Sequence, residues 1–360
     1  MNGDGGDAGG AARPSVRRRG AGNVRGMATV RAREDATSRS EEPVSGPTPS
    51  DRGTQVAGGP RAEARFDAPG TLDLRATMVP LEHGRGDGTI QFRDDGIWLA
   101  RRTRLGPATL QIWAAPGEEA VWARAWGPGA DAALAAVPGL AGLLDDPSRL
   151  VPHHDLVREL QRRHSGLRLT RTGQLMPALI PAVIEQKVTA IEAHDGYAAL
   201  VRRLGETAPG PLPLRLPPTG IRLATLPYFE FHPMGLERRR AEVLRHIGSL
   251  ESKVEALMAL PPGTAFERLR DIPGIGPWTA AEAIRIAFGD PDAVSLGDAH
   301  LPDLVAWALA GQPRADDARM LELLEPYAGQ RARVIRLLEA SHIKIPRFGP
   351  RFAPRRIERI

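Results

Sequence analysis

The residues best suited to chemistry lie in two short segments, of which the first is LRDIPGIGPWT over 269–279. Pro273 cannot continue a helix, and glycines at 274 and 276 permit backbone angles that are closed to other residues. Pro277 is favoured in the first turn of a helix, so the segment predicts two helices joined by a tight hairpin. Amide N–H groups at the second helix start would attract an anion such as a phosphate. An ordinary turn between two helices, formed by Pro and Gly without any DNA-binding role, explains this segment equally well.

The second segment places an acid directly before a helix. The sequence LGDAHL begins at Leu296, nineteen residues after Pro277, and contains Asp298 and His300. Asp298 is suited to cap the helix, and His300 to contact a phosphate, to pair with Asp298 or simply to lie on the helix surface. The helix itself is predicted over 300–310 by an apolar stripe at helical spacing. This stripe consists of Leu301, Leu304, Val305, Ala308 and Leu309.

The order of these segments, LxxIPGIGPWTA followed by an aliphatic-rich helix and VSLGDAHL, resembles the helix-hairpin-helix, Gly/Pro-rich, aspartate superfamily of DNA glycosylases. The likeness is greatest to the bacterial 3-methyladenine DNA glycosylase II type. It covers about 66–342 and is strongest over 265–310. The resemblance implies an α+β fold, in which a small antiparallel sheet domain like that of TATA-binding protein precedes an all-α helix-hairpin-helix core.

The resemblance makes Asp298 the catalytic carboxylate, because the Asp-x-His-Leu pattern matches there. It implies an enzyme that flips a damaged, alkylated base out of double-stranded DNA and hydrolyses its glycosidic bond. A fixed carboxylate would stabilise the positive charge that builds up on the sugar. Lyase members of the superfamily carry a lysine where this chain has Trp278, and no lysine lies between Lys253 and Lys344. We therefore expect a monofunctional glycosylase without lyase activity.

The resemblance also assigns the remaining site residues. Trp278 is expected to stack on an electron-poor base, with a cation–π attraction on the order of 0.5–2 kcal/mol, or to pack between the hairpin helices. Glu282 and Gln330 stand where pocket aromatics are expected, so the base pocket should be less aromatic than in the family. The residues expected to contact DNA are Gly274, Ile275, Gly276, Thr279, Gln186, Lys187, His300 and Arg331, with Gln186 and Lys187 filling the gap left by the flipped base. A monovalent cation is expected on the backbone carbonyls of Arg270, Ile272 and Ile275.

Hydrophobic periodicity predicts the elements around this site. Alternation predicts strands within 66–126, including one over Thr71–Met78 and a hairpin over 89–101. From about 131 the period becomes helical, and one stripe from Leu179 to Ile191 predicts a single buried helix. Residues 205–220 are too rich in Pro and Gly for a regular element. Further helices are predicted over Arg238–Ile247, Thr264–Leu269 and Trp278–Phe288, and around Val334–Ser341.

The predicted domains are a disordered tail (1–62), a β-rich domain (63–150), the helix-hairpin-helix domain (151–342) and a basic tail (343–360). The 360-residue chain has a formal charge of +5, but 62–342 carries about −3, so any DNA binding by the core cannot depend on net charge. With no cysteine, an iron–sulfur cluster of the four-cysteine type is excluded, and no cofactor is predicted to be required.

The sequence contains no apolar run of 18 residues, and its first residues lack the apolar core of a signal peptide. We therefore expect no membrane partner. The resemblance implies a monomer that acts in the cytoplasm at the bacterial nucleoid. Two alternatives stay open. The first is a non-catalytic protein of the same fold that binds lesions, and the second is an adaptor that uses the hairpin only to dock on DNA.

Overall fold

The computed structural model describes residues 59–115 and 117–346. Within them, five antiparallel strands form one sheet in the order β1-β5-β4-β3-β2. The strands are β1 (Ala62–Asp67), β2 (Ile90–Arg93), β3 (Gly96–Thr103), β4 (Gly106–Ala114) and β5 (Ala120–Trp126). The predicted hairpin over 89–101 is confirmed, because Arg93 of β2 pairs with Gly96 of β3 across a two-residue turn.

Fourteen α-helices accompany the sheet in the described residues. They are α1 (Leu74–Met78), α2 (Ala130–Ala135), α3 (Val137–Leu140), α4 (Asp155–Arg163), α5 (Met176–Ile184), α6 (Ala190–Leu204), α7 (Gly220–Thr225), α8 (Arg238–Ser249), α9 (Glu251–Ala256), α10 (Pro262–Arg270), α11 (Pro277–Phe288), α12 (Leu301–Ala310), α13 (Asp317–Leu324) and α14 (Arg331–Ala340). No helix in the described ranges is both long and apolar enough to cross a membrane. The predicted helices after residue 238 are all confirmed, with ends that differ by a few residues.

Two predictions based on periodicity are wrong. The segment Thr71–Met78 alternates like a strand, but Asp73 accepts a hydrogen bond from the backbone of Ala76 (2.8 Å) and starts α1 instead. The stripe from Leu179 to Ile191 is not one helix either. α5 ends at Ile184, and α6 begins again at Ala190 behind a Thr189 capping box. In both segments a polar side chain that caps a helix determines where the helix begins, although the apolar pattern predicted a different structure.

The predicted tails, 1–62 and 343–360, meet the described residues at each end. Residues 1–58 and 347–360 lie outside the described residues, but Ala62 already pairs with Ala125 in the sheet. At the other end, Ile343 and Ile345 line the cavity described below. The described residues therefore overlap the predicted tails only at 59–62 and 343–346, and the predicted disorder of the tails lies outside what the structure describes.

The helices pack in two apolar clusters. One cluster is built mainly from α5, α6, α8, α10 and α11, and the other mainly from α4, α12, α13 and α14. The sheet has its own core beneath α2, including Leu110 and Ile112. The candidate site lies where α11 of the first cluster meets α12 and α14 of the second.

Buried polar contacts hold the sheet against the helices. Arg101 of β3 donates hydrogen bonds to the backbone of Thr172 (3.1 Å) and to Gln174 (2.9 Å), whose side chain in turn donates to the backbone of Arg102 (2.8 Å). Burial lowers the pKa of Arg101 to about 10, against the opposing attraction of Glu255. These contacts fix the sheet at the start of α5, which packs on α11.

Candidate active site

The hairpin predicted from 269–279 is present. α10 ends at Arg270, the backbone N–H of Ile275 donates to the carbonyl of Ile272 (3.0 Å), and α11 begins at Pro277. Gly274 has φ +92°, and a Cβ there would lie 2.3 Å from Cγ2 of Val243 in α8. Gly274 is thus required by the fold itself, both for its backbone angle and for its close contact with α8.

Gly276 differs from Gly274, and the prediction that it needs angles closed to other residues is wrong. Its φ of −88° and ψ of 176° are open to any residue. A Cβ on Gly276 would have no heavy atom within 4 Å. Nothing in the described fold requires a glycine at this position, and the contact of Gly276 with a phosphate stays a prediction.

The side chain of Gln186, from the turn between α5 and α6, braces the hairpin. Its Nε2 donates to the carbonyl of Gly274 (3.0 Å) and to Oγ1 of Thr279 (2.9 Å). Thr279 is buried. Gln186 and the Thr279 hydroxyl therefore brace the hairpin, and the expectation that the two residues contact DNA stays a prediction.

Lys187 is different, because its side chain is exposed and its φ is +56°. A non-glycine residue in the left-handed region is strained, and such strain is commonly kept at functional positions. Lys187 thus lies at the tip of the α5–α6 turn, directly after the residue that braces the hairpin. The structure is compatible with the prediction that it reaches DNA.

Asp298 lies in the loop before α12, with its carboxylate held by three N–H groups. Oδ1 accepts from the backbone N–H of His300 (2.7 Å) and of Leu301 (2.8 Å), and Oδ2 accepts from Nε1 of Trp278 (2.9 Å). In the described ranges, no ion pair involves this carboxylate within 4.0 Å. Its position is fixed from two sides by neutral donors, while its charge stays unmatched by a cation.

The bond from Trp278 gives this residue a role that sequence reasoning missed. Trp278 was expected to stack on a base or to pack between helices, but its indole N–H orients the candidate catalytic carboxylate. The two residues are 20 positions apart, and no local pattern links them. An indole N–H, which needs a partner when partly buried, was the only signal available.

A cavity of about 300 Å³ adjoins Asp298, at the lower end of the size range of ligand pockets. Its lining combines charged and aliphatic side chains. The lining residues are Glu282, Arg285, Ala293, Ser295, Asp298, His300, Leu301, Leu304, Ile335, Leu338, Glu339, His342, Ile343 and Ile345. Glu282 thus lies in the pocket as expected, whereas Trp278 and Gln330 are not among its lining residues.

Gln330 corrects the predicted pocket. It is buried, and its side-chain oxygen accepts from Nε of Arg333 (2.6 Å). Arg333 also forms a buried ion pair with Asp145 (2.5 Å). Both residues line a separate, smaller cleft. Gln330 therefore lies at the N-terminal end of α14, where it binds Arg333. It does not belong to the pocket beside Asp298.

Within the pocket, Glu282 and Arg285 form an ion pair of 2.5 Å on one face of α11, and both are only 20 % exposed. Ser295 donates its hydroxyl to the other oxygen of Glu282 (2.5 Å). Burial alone lowers the pKa of Arg285, but the carboxylates of Glu282 and Glu339 hold it above its ordinary value. The guanidinium therefore stays charged.

The two other predicted phosphate contacts have different surroundings. The exposed His300 meets Asp298 through its backbone N–H, and the described residues contain no ion pair between the two side chains. Arg331 donates two hydrogen bonds to Asp292 (2.8 and 2.5 Å). Burial alone raises the pKa of Asp292, but the hydrogen bonds from Arg331 hold it below its ordinary value. This pairing argues for a structural role of Arg331 in place of the predicted phosphate contact.

The carbonyls of Arg270, Ile272 and Ile275 lie at the turn of the hairpin, and oxygen ligands suit a hard cation. The carbonyl of Ile272 already accepts from the N–H of Ile275, which leaves one lone pair for another partner. Elsewhere in the described ranges, no cluster of three or more His, Asp or Glu side chains could hold a metal ion. The cation at the hairpin stays a prediction.

Comparisons of structure place this arrangement among known folds. The structure is similar to that of a 3-methyladenine DNA glycosylase from Archaeoglobus fulgidus, with a TM-score of 0.65 and 18 % identity over 76 % of this chain and 97 % of the other. It is also similar to the 8-oxoguanine glycosylase/lyase of Clostridium acetobutylicum bound to double-stranded DNA, with a TM-score of 0.61 and 13 % identity over 80 % and 98 %. A third similar structure is MBOgg1 in complex with a low-affinity DNA ligand, with a TM-score of 0.62 and 12 % identity over 80 % and 95 %.

No protein-family model matches the sequence, and no curated protein matches it either. At these identities the structural likeness concerns the fold, and it extends over nearly the full length of each similar structure. The chain has the fold of the helix-hairpin-helix superfamily of DNA glycosylases.

Proposed function

We propose that this protein is a monofunctional DNA glycosylase, which removes alkylated bases from double-stranded DNA by hydrolysis. The observation that supports this most is the carboxylate of Asp298. It is oriented by Trp278 and by the start of α12, it has no cationic partner among the described residues, and it lies on a cavity of about 300 Å³.

The mechanism we propose begins with rotation of the damaged nucleotide out of the duplex, since its glycosidic bond cannot be reached inside the helix. As the bond to the base breaks, positive charge develops on the sugar, and the carboxylate of Asp298 stabilises it. The leaving base takes the bonding electrons. Water supplies the hydroxyl group that ends on the sugar carbon, and its proton is released.

Monofunctional chemistry is supported by the distribution of lysines. None of the cavity-lining residues is a lysine, and the position at which lyases of this fold carry the Schiff-base lysine holds Trp278, whose N–H is bonded to Asp298. Without an amine beside the sugar, water is the available nucleophile. The expected product is an intact abasic site.

DNA binding is proposed to depend on the hairpin. The backbone N–H groups around Gly276 at the start of α11 would donate hydrogen bonds to a phosphate oxygen, and the absence of a side chain there lets the phosphate approach closely. Such contacts position the protein without reading base sequence. They also allow a core of negative net charge to hold a polyanion.

The experiment that tests the proposal is an excision panel with duplexes containing 3-methyladenine, 7-methylguanine, hypoxanthine or uracil. Abasic product would be scored with and without alkali, and borohydride would be used to trap any covalent intermediate. Excision of a methylated base, without strand cleavage and without trapping, is the expected result. Tight lesion binding without excision would favour the non-catalytic alternative, and a stoichiometric trapped adduct would contradict the monofunctional mechanism.

Other parts of the proposal extend the likeness of fold. We propose that the protein is of the 3-methyladenine DNA glycosylase II type, that its sheet corresponds to the TATA-binding-protein-like domain of that type, and that it acts as a monomer at the bacterial nucleoid without a cofactor. A monovalent cation on the carbonyls of the hairpin would act as a structural ligand at the DNA backbone.

A further inference from the structure

Two exposed guanidiniums near the α5–α6 turn are not neutralised by the protein. They are those of Arg85, in the loop over 82–89 before β2, and of Arg239, in the first turn of α8. Within the described ranges, neither side chain has a carboxylate within 4.0 Å or a hydrogen-bond partner. Both positive charges are therefore available to a ligand.

Arg239 lies beside the hairpin and the α5–α6 turn. Val243, four residues further along α8, is the residue that a Cβ on Gly274 would meet at 2.3 Å. Residues four apart lie on the same face of a helix, so Arg239 is one turn from this contact. The neighbouring Arg240 donates to the carbonyl of Ile184 (2.6 Å), which fixes the start of α8 at the end of α5.

The charge of Arg239 is not required by the fold. The first turn of α8 contains no acidic residue, and the helix dipole disfavours cations at this end of a helix. Arg238 offsets its own charge by donating to Glu242 (2.7 Å), whereas Arg239 has no such partner in the part of the chain that the structure describes. An anion beside Arg239 would remove this unfavourable charge.

Arg85 reaches the same turn from the segment that leads into the sheet. A Cβ on Gly84 would lie 2.7 Å from the side chain of His194, so the loop packs closely against α6. His83 of this loop faces Glu185 at the end of α5, with 3.6 Å between Nδ1 and Oε1. These contacts hold the loop of Arg85 next to the α5–α6 turn.

The helix α6 separates the two arginines. Its residue His194 faces the loop of Arg85, whereas a Cβ on Gly196 would lie 3.3 Å from Leu236, just before α8. Two residues correspond to about 200° around a helix, so the two contacts lie on opposite sides of α6. The turn that carries the exposed Lys187 thus has one unneutralised guanidinium on each side.

We propose that Arg85 and Arg239 bind backbone phosphates of DNA on the two sides of the α5–α6 turn. The proposal rests on the proposed glycosylase function and adds two residues to its DNA-binding surface, one of them from the segment before the sheet. A guanidinium forms charge-assisted hydrogen bonds to phosphate oxygens, often two in parallel. Such contacts set the position of a protein on a duplex without reading its sequence.

The test measures the salt dependence of binding by the full chain to an undamaged duplex, by fluorescence anisotropy. Arg85→Gln and Arg239→Gln should each make the slope of log K against log salt shallower by about 0.9, as expected for one phosphate contact. Arg85→Lys and Arg239→Lys keep the charge and should keep the slope. An unaltered slope in either glutamine variant, or an equal loss in the lysine variants, would overturn the proposal.

The matched control is Arg171→Gln. Arg171 is exposed, has no ion pair in the described ranges, and lies at the C-terminal end of α11, where a Cβ on Gly289 would be 3.1 Å from its Cβ. Since α11 has 12 residues, this end is about 18 Å from the hairpin. The slope of the control should equal that of the wild-type protein. An equal change in Arg171→Gln would mean that net charge governs the slope, and this too would overturn the proposal. Thermal melts of all variants would establish that they fold.

Failure of the proposed function has a different signature, because binding to undamaged DNA does not require excision. If the wild-type protein binds the duplex but excises no lesion, the glycosylase function fails, and the slopes of the variants still decide whether the two arginines bind phosphates. If the protein excises a lesion but its glutamine variants keep the wild-type slope, only the two phosphate contacts are overturned. A wild-type protein without affinity for duplex DNA would overturn them as well.

Discussion

At the scale of single residues, the site depends on how one carboxylate is fixed. Asp298 receives two backbone N–H groups on one oxygen and the indole N–H of Trp278 on the other. None of these donors is a cation. The carboxylate is therefore oriented in advance without an ion pair that would offset its charge, as electrostatic stabilisation of a developing cation requires.

We expect Asp298→Asn to abolish excision while the fold and the affinity for DNA are retained. Asparagine can keep the two backbone contacts through its oxygen, so α12 should still be capped. Its amide nitrogen would then face Nε1 of Trp278, a second donor, and the stabilising negative charge would be gone. Single-turnover rates and thermal melts would check this. A folded variant with a nearly normal rate would remove Asp298 from the mechanism.

We expect Trp278→Phe to slow excision by roughly tenfold to a hundredfold, because a hydrogen bond to a charged group contributes about 1.5–3 kcal/mol. The substitution keeps an aromatic ring and deletes only the N–H that reaches Asp298. In the double variant with Asp298→Asn, the second substitution should have little further effect. Additive losses in the double variant would indicate that Trp278 acts on the base and not through the carboxylate.

At the scale of elements, the two glycines of the hairpin differ in backbone angles and in surroundings. Gly274 is fixed by a positive φ and by contact with Val243, whereas Gly276 has ordinary angles and open space around it. One glycine therefore serves the fold, and the other is available to a ligand. This difference leads to a matched pair of substitutions.

We expect Gly274→Ala to destabilise the protein by about 1–3 kcal/mol, as strain in the left-handed region does, and Gly276→Ala to leave the melting temperature unchanged. Gly276→Ala should instead weaken DNA binding to a similar extent on different sequences, because a methyl group would obstruct a phosphate without affecting base recognition. Thermal melts and fluorescence anisotropy would measure both effects. Normal DNA affinity in Gly276→Ala would exclude close approach of a phosphate at this residue.

The elements that the sequence predicted best are those with a strong local signal. The turn at Pro273 and Gly274, the start of α11 at Pro277 and the stripe of α12 all depend on neighbours within a few residues. The predictions that were wrong depended on distant partners or on competing caps. Gln330 was placed in the pocket although Arg333 and Asp145 hold it elsewhere, and no spacing in the sequence indicates that contact. The sequence likewise did not predict that Glu339 of α14 lines the cavity, because this position results from the packing of two apolar clusters.

At the scale of the whole molecule, charge is divided unevenly along the chain. Residues 59–346 carry about −1, whereas 347–360 contain five arginines and one acid. The described residues also pair many of their arginines with carboxylates, as in Arg331 with Asp292 and Arg285 with Glu282. The net positive charge of the chain thus lies outside 59–346, with about +2 in 1–58 and about +4 in 347–360.

We therefore expect the C-terminal segment to set the salt dependence of DNA binding. Each phosphate neutralised by a cationic side chain adds about −0.9 to the slope of log K against log salt, and contacts from backbone amides add little. Replacing Arg347, Arg351, Arg355, Arg356 and Arg359 by Gln in the full chain should make the slope shallower by as much as about four. The excision rate at saturating protein should stay unchanged, because the cavity and Asp298 are untouched. An unaltered slope would mean that these arginines do not meet DNA, and a steep residual slope would indicate that arginines elsewhere in the chain do so.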